Sequence, residues 1–456
     1  MACLAFVLGG TALGQMPDIT APRGDEPAAD GMTESTFKHP FSKRIWISGQ
    51  ANVIFQTHPE FAAKYSGPNS LRPEFEKATS RVLTLYTGLQ ISGSAEVLAD
   101  VEQAGGGGLS TALGLAGFSN LDAGRNPSLG EQPYLARVMW HQVVALSKER
   151  TEADPGPLST FSELPGRRLE VRVGKFGTVD FFDVNSVGSD SHLQFMNWAI
   201  DQNGAYDFAA DTRGYTWGGI LEYQERAWGF RFGEALMPSV ANGMNEVWNL
   251  HQARSENYEF ELHRGVLARR AGKVRLLGYT NYANMGIYRE AIARYEAGLD
   301  AKPDITDHPL QTTRKYGFGA NVEQALTRNM TAFGRFGWNN GKTESYAFTE
   351  IDQTFAGGLG MNGRRWKRQY DRAGVAFASN ALSGDHREYL ALGGKGFILG
   401  DGALNYGREQ IFESYYTAHV WKGLYASPGV QYVVNPGYNK DRGPVVIPTL
   451  RVHVEL

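Results

Sequence analysis

VVIPTLRVHVEL, residues 445–456, is the stretch that decides the fold. From residue 450 onward apolar and polar residues alternate strictly: Leu450, Val452, Val454 and Leu456 on one face, and Arg451, His453 and Glu455 on the other. Because successive strand side chains point to opposite faces, this segment is a strand with one apolar and one charged face. Two classes of protein use such strands. In a soluble sandwich the apolar face meets a core, whereas in an outer-membrane barrel it meets lipid while the polar face meets a wet lumen.

The bulk composition narrows the class of protein. The chain has 456 residues, a formal net charge of -3, 55 glycines, 12% aromatic residues and one cysteine. Near-neutral charge gives no reason to expect a nucleic-acid partner. The mean hydropathy of -0.35 and the absence of a run of about eighteen apolar residues exclude a helical membrane bundle. A barrel is still allowed, since half of each strand and all its loops are polar. No Pro/Ser/Gly-rich linker divides the middle, which favours one large unit.

The first residues indicate export. Residues 2–14 form a short apolar run, and Ala12 and Gly14 are small residues at the positions that a signal peptidase reads before Gln15. We expect a signal peptide over 1–14, truncated at its start because no basic region precedes it; a buried N-terminal strand is the alternative. Cys3 lies in this leader, so the mature chain would have no disulfide or thiolate metal site. A flexible lead-in over 15–43 and a barrel domain over 44–456 follow.

Period-two alternation and turn residues predict fifteen further strands before the last one. Their expected ranges are about 44–56, 80–91, 94–104, 133–147, 168–176, 214–225, 226–237, 254–265, 273–283, 312–325, 329–338, 349–360, 369–378, 407–421 and 424–434. Most connections alternate between short and long. The connection 148–167 is long where a short turn is due, so either a strand is misplaced there or the periplasmic side carries an ordered insertion. The loop 284–311 has helical character.

These features predict an all-β fold: a sixteen-stranded antiparallel up-and-down outer-membrane β-barrel with short periplasmic turns and long extracellular loops. A soluble sandwich would need fewer and shorter strands. The last strand should close the barrel against the first, whose outward residues are Ile45, Ile47, Val53 and Phe55. Aromatic residues near strand ends are expected to form interface girdles, with core packing as the alternative. They are Tyr215, Trp217, Trp228, Trp338, Trp421 and Tyr425.

Ten short segments carry a family resemblance. In chain order they are Gly49-Gln50, Phe55-Gln56, YSGPNSL at 65–71, GGGLSTALGLAGFSNLD at 106–122, PYLAR at 133–137, GKF at 174–176, DFFDVN at 180–185, QFMN at 194–197, DHREY at 385–389 and NPGYNKDRGP at 435–444. With these segments the chain resembles the carbohydrate-selective porin family of the OprB type. The resemblance implies a sixteen-stranded barrel that admits monosaccharides and other small polar solutes by diffusion. The chain departs from the usual pattern at Leu456, because such barrels commonly end in an aromatic residue read by the assembly machinery.

A barrel of sixteen strands leaves an aqueous channel, so something must narrow it. We expect the aspartate-rich loop 177–213 to fold inward as the constriction. Its carboxylates would face arginines of the wall and set a transverse field. The acids are Asp180, Asp183 and Asp190, and the arginines are Arg172, Arg231, Arg335 and Arg451. Polar and aromatic residues suited to a sugar are Trp46, Gln50, Asn52, Asn197 and Trp198. Structural salt bridges are the alternative for the arginines, and calcium binding or solvation for the acids.

The expected function is therefore passive diffusion of sugars through an outer-membrane porin. The alternatives are a general or anion-leaning porin, or a surface binding or adhesion barrel. An enzyme is not expected: Ser414 and His419 fall on opposite faces of one strand, and no G-x-S-x-G or H-E-x-x-H motif occurs. We expect no cofactor, metal or nucleic acid. The partners would be small solutes, outer-membrane lipid and the assembly machinery, with the chain a monomer or a homotrimer.

Overall fold

The computed structural model describes residues 33–37, 44–124, 129–267, 270–346 and 350–456. The expected signal peptide at 1–14 and most of the lead-in at 15–43 lie outside these ranges. Within them, no helix combines the length and apolar character needed to cross a membrane. Four short α-helices are present in the described ranges: α1 (Leu121–Gly124), α2 (Trp198–Asp201), α3 (Tyr288–Glu296) and α4 (Gly384–Ala391).

Strands dominate the described residues. They are β1 (Ile45–His58), β2 (Glu76–Ser92), β3 (Ala95–Gly106), β4 (Tyr134–Ala145), β5 (Arg150–Glu152), β6 (Glu163–Pro165), β7 (Arg168–Phe176), β8 (Thr216–Gln224), β9 (Trp228–Ala235), β10 (Arg254–Leu262), β11 (Gly272–Ala283), β12 (Thr313–Thr327), β13 (Met330–Asn339), β14 (Gln353–Asn362), β15 (Arg372–Ala381), β16 (Glu409–Trp421), β17 (Leu424–Val434) and β18 (Val445–Glu455). All but β5 and β6 form one closed antiparallel barrel in chain order. The predicted sixteen-stranded barrel is confirmed.

The last strand closes the barrel against the first. In this pairing Gln50 lies opposite Glu455, and Ile54 lies opposite Arg451. Closure matters because a strand edge within lipid would leave unpaired backbone groups, each costing several kcal/mol. Strand ends differ from the expected ones by a few residues. The pair β14 and β15 begins later than predicted, because its glycines weaken the alternation that marks a strand's start.

The two faces of the wall follow the alternation. Leu450 is 47% exposed in the isolated chain and faces outward, whereas its neighbour Arg451 is fully buried and faces the lumen. Val53 and Phe55 on β1 are likewise exposed, and His453 is buried. The predicted outward and inward faces of the closing strands are confirmed.

Two of the six expected girdle aromatics do not face outward. Tyr215 is buried, and its hydroxyl donates to Glu102 at 2.9 Å. Tyr425 is also buried, and its hydroxyl accepts from the backbone N–H of Glu34 at 2.6 Å. The girdle prediction is wrong for these two, because each ring is buried with its hydroxyl bonded to a polar partner inside the protein. Trp421, by contrast, is 62% exposed at the end of β16.

The connection 148–167 is an ordered insertion rather than a misplaced strand. Its strands β5 and β6 pair only with each other, on the side of the barrel where the short turns lie. The segment between them reaches the wall: Thr160 donates its backbone N–H to Glu96 at 2.9 Å, and Phe161 packs edge-on against His141. On the short-turn side, this insertion therefore covers the inner wall at β3 and β4.

The long loops at one end of the barrel pack on one another around His386. This residue lies on α4, its Nδ1 is 3.0 Å from Asp352 Oδ2, and its ring stacks on Tyr288 of α3. Helix α3 itself confirms the helical character expected of the loop 284–311. Burial lowers the pKa of His386, but the carboxylates of Asp352 and Glu350 outweigh burial and raise it to about 9. The charged imidazole thus holds three loop regions together.

We expect the packing of these loops to weaken in alkaline solution. Because the folded pKa lies above the unfolded value of about 6.5, the stabilisation of roughly 3 kcal/mol is complete below about pH 6.5 and is lost as the pH rises through about 9. Proteolysis within 382–408 should therefore accelerate between about pH 6 and about pH 9.5. In His386→Gln that pH dependence should disappear. An equal acceleration in the variant would show that another group titrates.

Candidate functional site

The loop 177–213 fills much of the lumen, as predicted for a constriction loop. Its aromatic residues are buried against inward side chains of the wall: the Phe195 ring lies 4.9 Å from that of Tyr415 and 5.9 Å from that of Phe333. Phe182, Phe195 and Phe208 are almost completely covered. The loop is thus held inside by an apolar core of its own, and its polar groups are arranged around that core.

Two wall arginines anchor the loop through its backbone. The guanidinium of Arg335 donates to the carbonyl oxygens of Gly188 at 2.6 Å and Ile200 at 2.7 Å. It also donates to the carbonyl of Asp201 at 2.9 Å. Arg451 donates to the carbonyls of Ser191 at 2.6 Å and Gln194 at 3.0 Å. Both side chains are at most 1% exposed, because a guanidinium carries five donors and can satisfy several buried carbonyls at once.

Wall carboxylates hold the same loop from its N–H side. Glu413 accepts from the backbone of Met196 at 2.8 Å and of Asn197 at 3.0 Å. Glu259 accepts from the backbone N–H of Asp183 at 2.6 Å. Acids and arginines of the wall therefore divide the loop's backbone acceptors and donors between them.

Arg172 and Arg231 belong to a chain of ion pairs along the wall. His141 lies between Glu96 and Glu170, at 2.7 and 2.8 Å. Arg172 joins Glu170 at 2.6 Å to Glu222 at 3.5 Å. Arg231 then joins Glu222 at 2.7 Å to Glu259 at 2.6 Å. We call this series, Glu96 to Glu259, the wall ladder; it links six strands from β3 to β10.

Two of the three loop aspartates have partners that differ from the expected ones. Asp180 receives two hydrogen bonds of 2.9 Å from Arg137, a residue that the strand pattern did not single out. Asp190 lies 3.6 Å from Arg372. Asp183 alone meets an expected arginine, since its carboxylate is 3.7 Å from Nε of Arg335.

Arg137 was missed because of a bulge. The pairing of β3 with β4 shifts register between Asp100 and Val101, so that Tyr134 and Arg137 both point into the lumen although they are three residues apart. A bulge inserts one residue and reverses the parity beyond it. Period-two reading across 133–147 therefore assigns one side of the bulge to the wrong face.

The polar and aromatic residues chosen for sugar contact are spread over the lumen. Gln50 donates to Thr84 at 3.1 Å, and Asn52 donates to Asp122 at 2.7 Å. Trp46 lies beside Tyr86, with ring centroids 6.5 Å apart. Asn197 caps α2, accepting from the N–H of Ala199 at 3.0 Å. Trp198 packs between Phe118 and Phe208.

A chamber of about 210 Å³ lies between the loop and the wall at β2 and β4. Its half-buried lining groups are Tyr86, Arg137, Asp180, Ser189, Asp190 and His192, and Trp198, Phe118 and Phe208 form its apolar floor. Of the twelve residues singled out from the sequence, Asp180, Asp190 and Trp198 border it; the other nine do not. In the described part of the chain, no group of three or more His, Cys, Asp or Glu side chains is arranged to hold a metal ion.

This architecture is shared with known proteins. The family described as carbohydrate-selective porin, OprB family, matches residues 71–456. The chain belongs to this family. The structure of Pseudomonas putida OprB at high pH is similar, with a TM-score of 0.70, 16% identity, and coverage of 93% of this chain and 99% of that one. The Acinetobacter baumannii channel DcaP gives a TM-score of 0.47 at 10% identity, covering 92% and 100%. No curated protein matches. The molecule is an outer-membrane porin.

In this porin the anchoring arginines should control how firmly the loop is seated. Replacing Arg335 with Ala leaves several buried carbonyls without donors, which should lower the free energy of unfolding by about 3 kcal/mol or more. We expect larger and noisier single-channel currents in planar bilayers as well. Arg328→Ala, at the exposed turn of the same hairpin, should change stability by less than about 0.5 kcal/mol. Equal currents and equal urea midpoints for Arg335→Ala and the native chain would contradict the anchoring role.

Proposed function

We propose that this porin lets monosaccharides and other small polar solutes diffuse passively into the periplasm through the chamber beside loop 177–213. The observation that carries the proposal is the convergence, in about 210 Å³, of hydrogen-bonding groups of both kinds beside an aromatic ring. Family membership supports the same class of solute. No step in such transport requires a catalytic residue.

The lining groups match the chemistry of a sugar. Each sugar hydroxyl both donates and accepts, so a compatible site offers donors and acceptors together. Arg137 supplies donors, and Asp180 and Asp190 supply acceptors. The half-buried ring of Tyr86, backed by Trp46, offers an apolar face of the kind that suits the C–H face of a pyranose.

The charge balance favours neutral solutes over anions. Arg137 is shared between Asp100 at 2.7 Å and Asp180 at 2.9 Å, so its charge is matched within the chamber wall. Arg172, Arg231, Arg335 and Arg451 are occupied by the wall ladder or by the loop backbone. An anion-leaning porin would need cations that face the channel without such partners.

Liposome swelling with a panel of sugars tests the proposal. Glucose and other monosaccharides should enter proteoliposomes faster than maltooligosaccharides, and added glucose should reduce ion conductance in planar bilayers. Replacing Tyr86 with Ala should weaken the effect of glucose by roughly three- to tenfold, the value expected for one ring contact. Tyr86→Phe, which keeps the ring, is the matched control. A closed pore would reject a sugar channel and leave the surface-binding alternative, whereas an open pore with conductance indifferent to every sugar would reject it in favour of a general porin.

Measurements of ion selectivity test whether Arg137 lines the path that solutes take. Arg137→Gln leaves Asp100 and Asp180 without their cation, so the reversal potential in a salt gradient should shift toward cation selectivity. Arg172→Gln removes the same charge from the wall ladder, away from the chamber, and should shift it less. If the Arg172 variant shifted the reversal potential more than the Arg137 variant, the ladder rather than the chamber would set selectivity.

A further inference from the structure

The periplasmic turn between β14 and β15, residues 363–371, carries a dense positive charge. Its sequence, GRRWKRQYD, places four cations within five positions: Arg364, Arg365, Lys367 and Arg368. All four are exposed. Asp371 is the single acid of the turn. Four neighbouring positive charges repel one another, so an anion bound beside them would be stabilising.

The turn's own acid is already satisfied. Asp371 is buried, lies 2.5 Å from Nε of Arg368, and accepts from the backbone N–H of His419 at 2.9 Å. The hydroxyl of Tyr416 also donates to it. None of Arg364, Arg365 and Lys367 forms an ion pair with a described residue. Three positive charges of this turn therefore have no anionic partner within the described protein.

These cations border a formed cleft. It has a volume of about 490 Å³ and is lined by Arg364, Lys367, Arg368, Gln369, Tyr370 and His419, with Asp371 at its base. The backbone around it is fixed: the N–H of Gly363 donates to the carbonyl of Asp371 at 2.8 Å, and that of Arg368 to Gly363 at 3.0 Å. A side chain at Gly363 would collide with the carbonyl of Arg368. The backbone that carries these cations is thus fixed by its own hydrogen bonds.

The turn also touches the lipid-facing side of the barrel. Trp366 donates its indole N–H to the hydroxyl of Tyr416 at 3.1 Å, and Tyr416 occupies an outward position on β16. Val420 and Trp421 on the same strand are well exposed beside it. Lys422 of the next turn adds another cation, with Nζ 4.6 Å from the Trp421 ring centroid. Tryptophan and tyrosine mark the level of lipid headgroups.

We propose that this cleft binds the phosphate of an anionic phospholipid in the membrane leaflet that faces the periplasm. Arginine and lysine donors suit a phosphate, and the arginine fork can bind two of its oxygens. The position beside Tyr416 and Trp421 favours a headgroup over a soluble phosphate, since the acyl chains of the same molecule can lie against the outward wall. The lipid would tie one side of the periplasmic rim to the membrane.

Native mass spectrometry of the folded full chain in detergent tests this directly. The chain should retain phosphatidylglycerol in preference to phosphatidylcholine with the same acyl chains. In the triple variant R364Q/R365Q/K367Q that preference should fall about tenfold or more. The control K64Q/R289Q/K302Q removes the same charge from exposed extracellular positions and should keep it. Heat-modifiable gel mobility establishes that both variants are folded.

Two further measurements distinguish a lipid headgroup from a soluble phosphate and from peptidoglycan. Sodium phosphate offers the same oxygens without acyl chains, so it should displace the bound phosphatidylglycerol only at a large molar excess over the lipid; displacement at a concentration equal to that of the lipid would assign the cleft to a soluble anion and overturn the lipid proposal. Retention of the lipid preference in the triple variant would also overturn it. If that variant instead lost co-sedimentation with peptidoglycan while keeping its lipid preference, the cleft would be a peptidoglycan contact.

Discussion

The structure depends on one constraint: a sheet that crosses lipid can have no free edge. The pairing of β18 with β1 satisfies it and fixes which residues face which solvent, because the side-chain period of a strand is two. A slip of one residue at this seam would place Arg451 and His453 in lipid and Leu450 and Val452 in the lumen. The seam register is therefore enforced by burial on both faces at once.

The strand register places many charged side chains on the inward faces. Because these charges lie close together, they pair with one another and form the wall ladder. Glu170 alone lies close to His141, Arg168 and Arg172. Neighbouring strands are only about 4.8 Å apart, so charged inward residues on adjacent strands must find opposite partners or repel. Charged residues of the wall also hold the constriction loop. Its carbonyls accept hydrogen bonds from Arg335 and Arg451, and its N–H groups donate to Glu413 and Glu259. Barrel wall and constriction loop are stabilised as one polar network around an apolar centre.

The difference between local patterns and long-range contacts explains which features could be predicted from the sequence. Strand number, topology and the closing pair follow from period-two alternation and turn residues, which are local; the inward loop was predicted from barrel width and from the length and aspartate content of 177–213. The partners of individual charges are not local. Arg137 was hidden by a bulge that reversed the parity of β4, and the acceptors of Arg335 are backbone carbonyls that no sequence pattern marks. Tyr215 and Tyr425 were predicted to be girdle residues because both are aromatic and lie near strand ends. Residue type alone does not show whether such a side chain points inward or outward.

Arginine does four different jobs in this chain, and what separates them is what each side chain can reach. Arg335 is enclosed by carbonyls and can only hold the loop. Arg172 sits between carboxylates and can only stiffen the wall. Arg137 contacts a wall acid and also borders the open chamber, which is where the proposed function places its role. Arg364 and Arg365 lie at the rim with no acid partner among the described residues, where a charge acts on what lies outside the protein. Since the residue type is the same throughout, a count of lumen arginines does not distinguish these positions; what distinguishes them is whether the protein itself uses all the donors of the side chain.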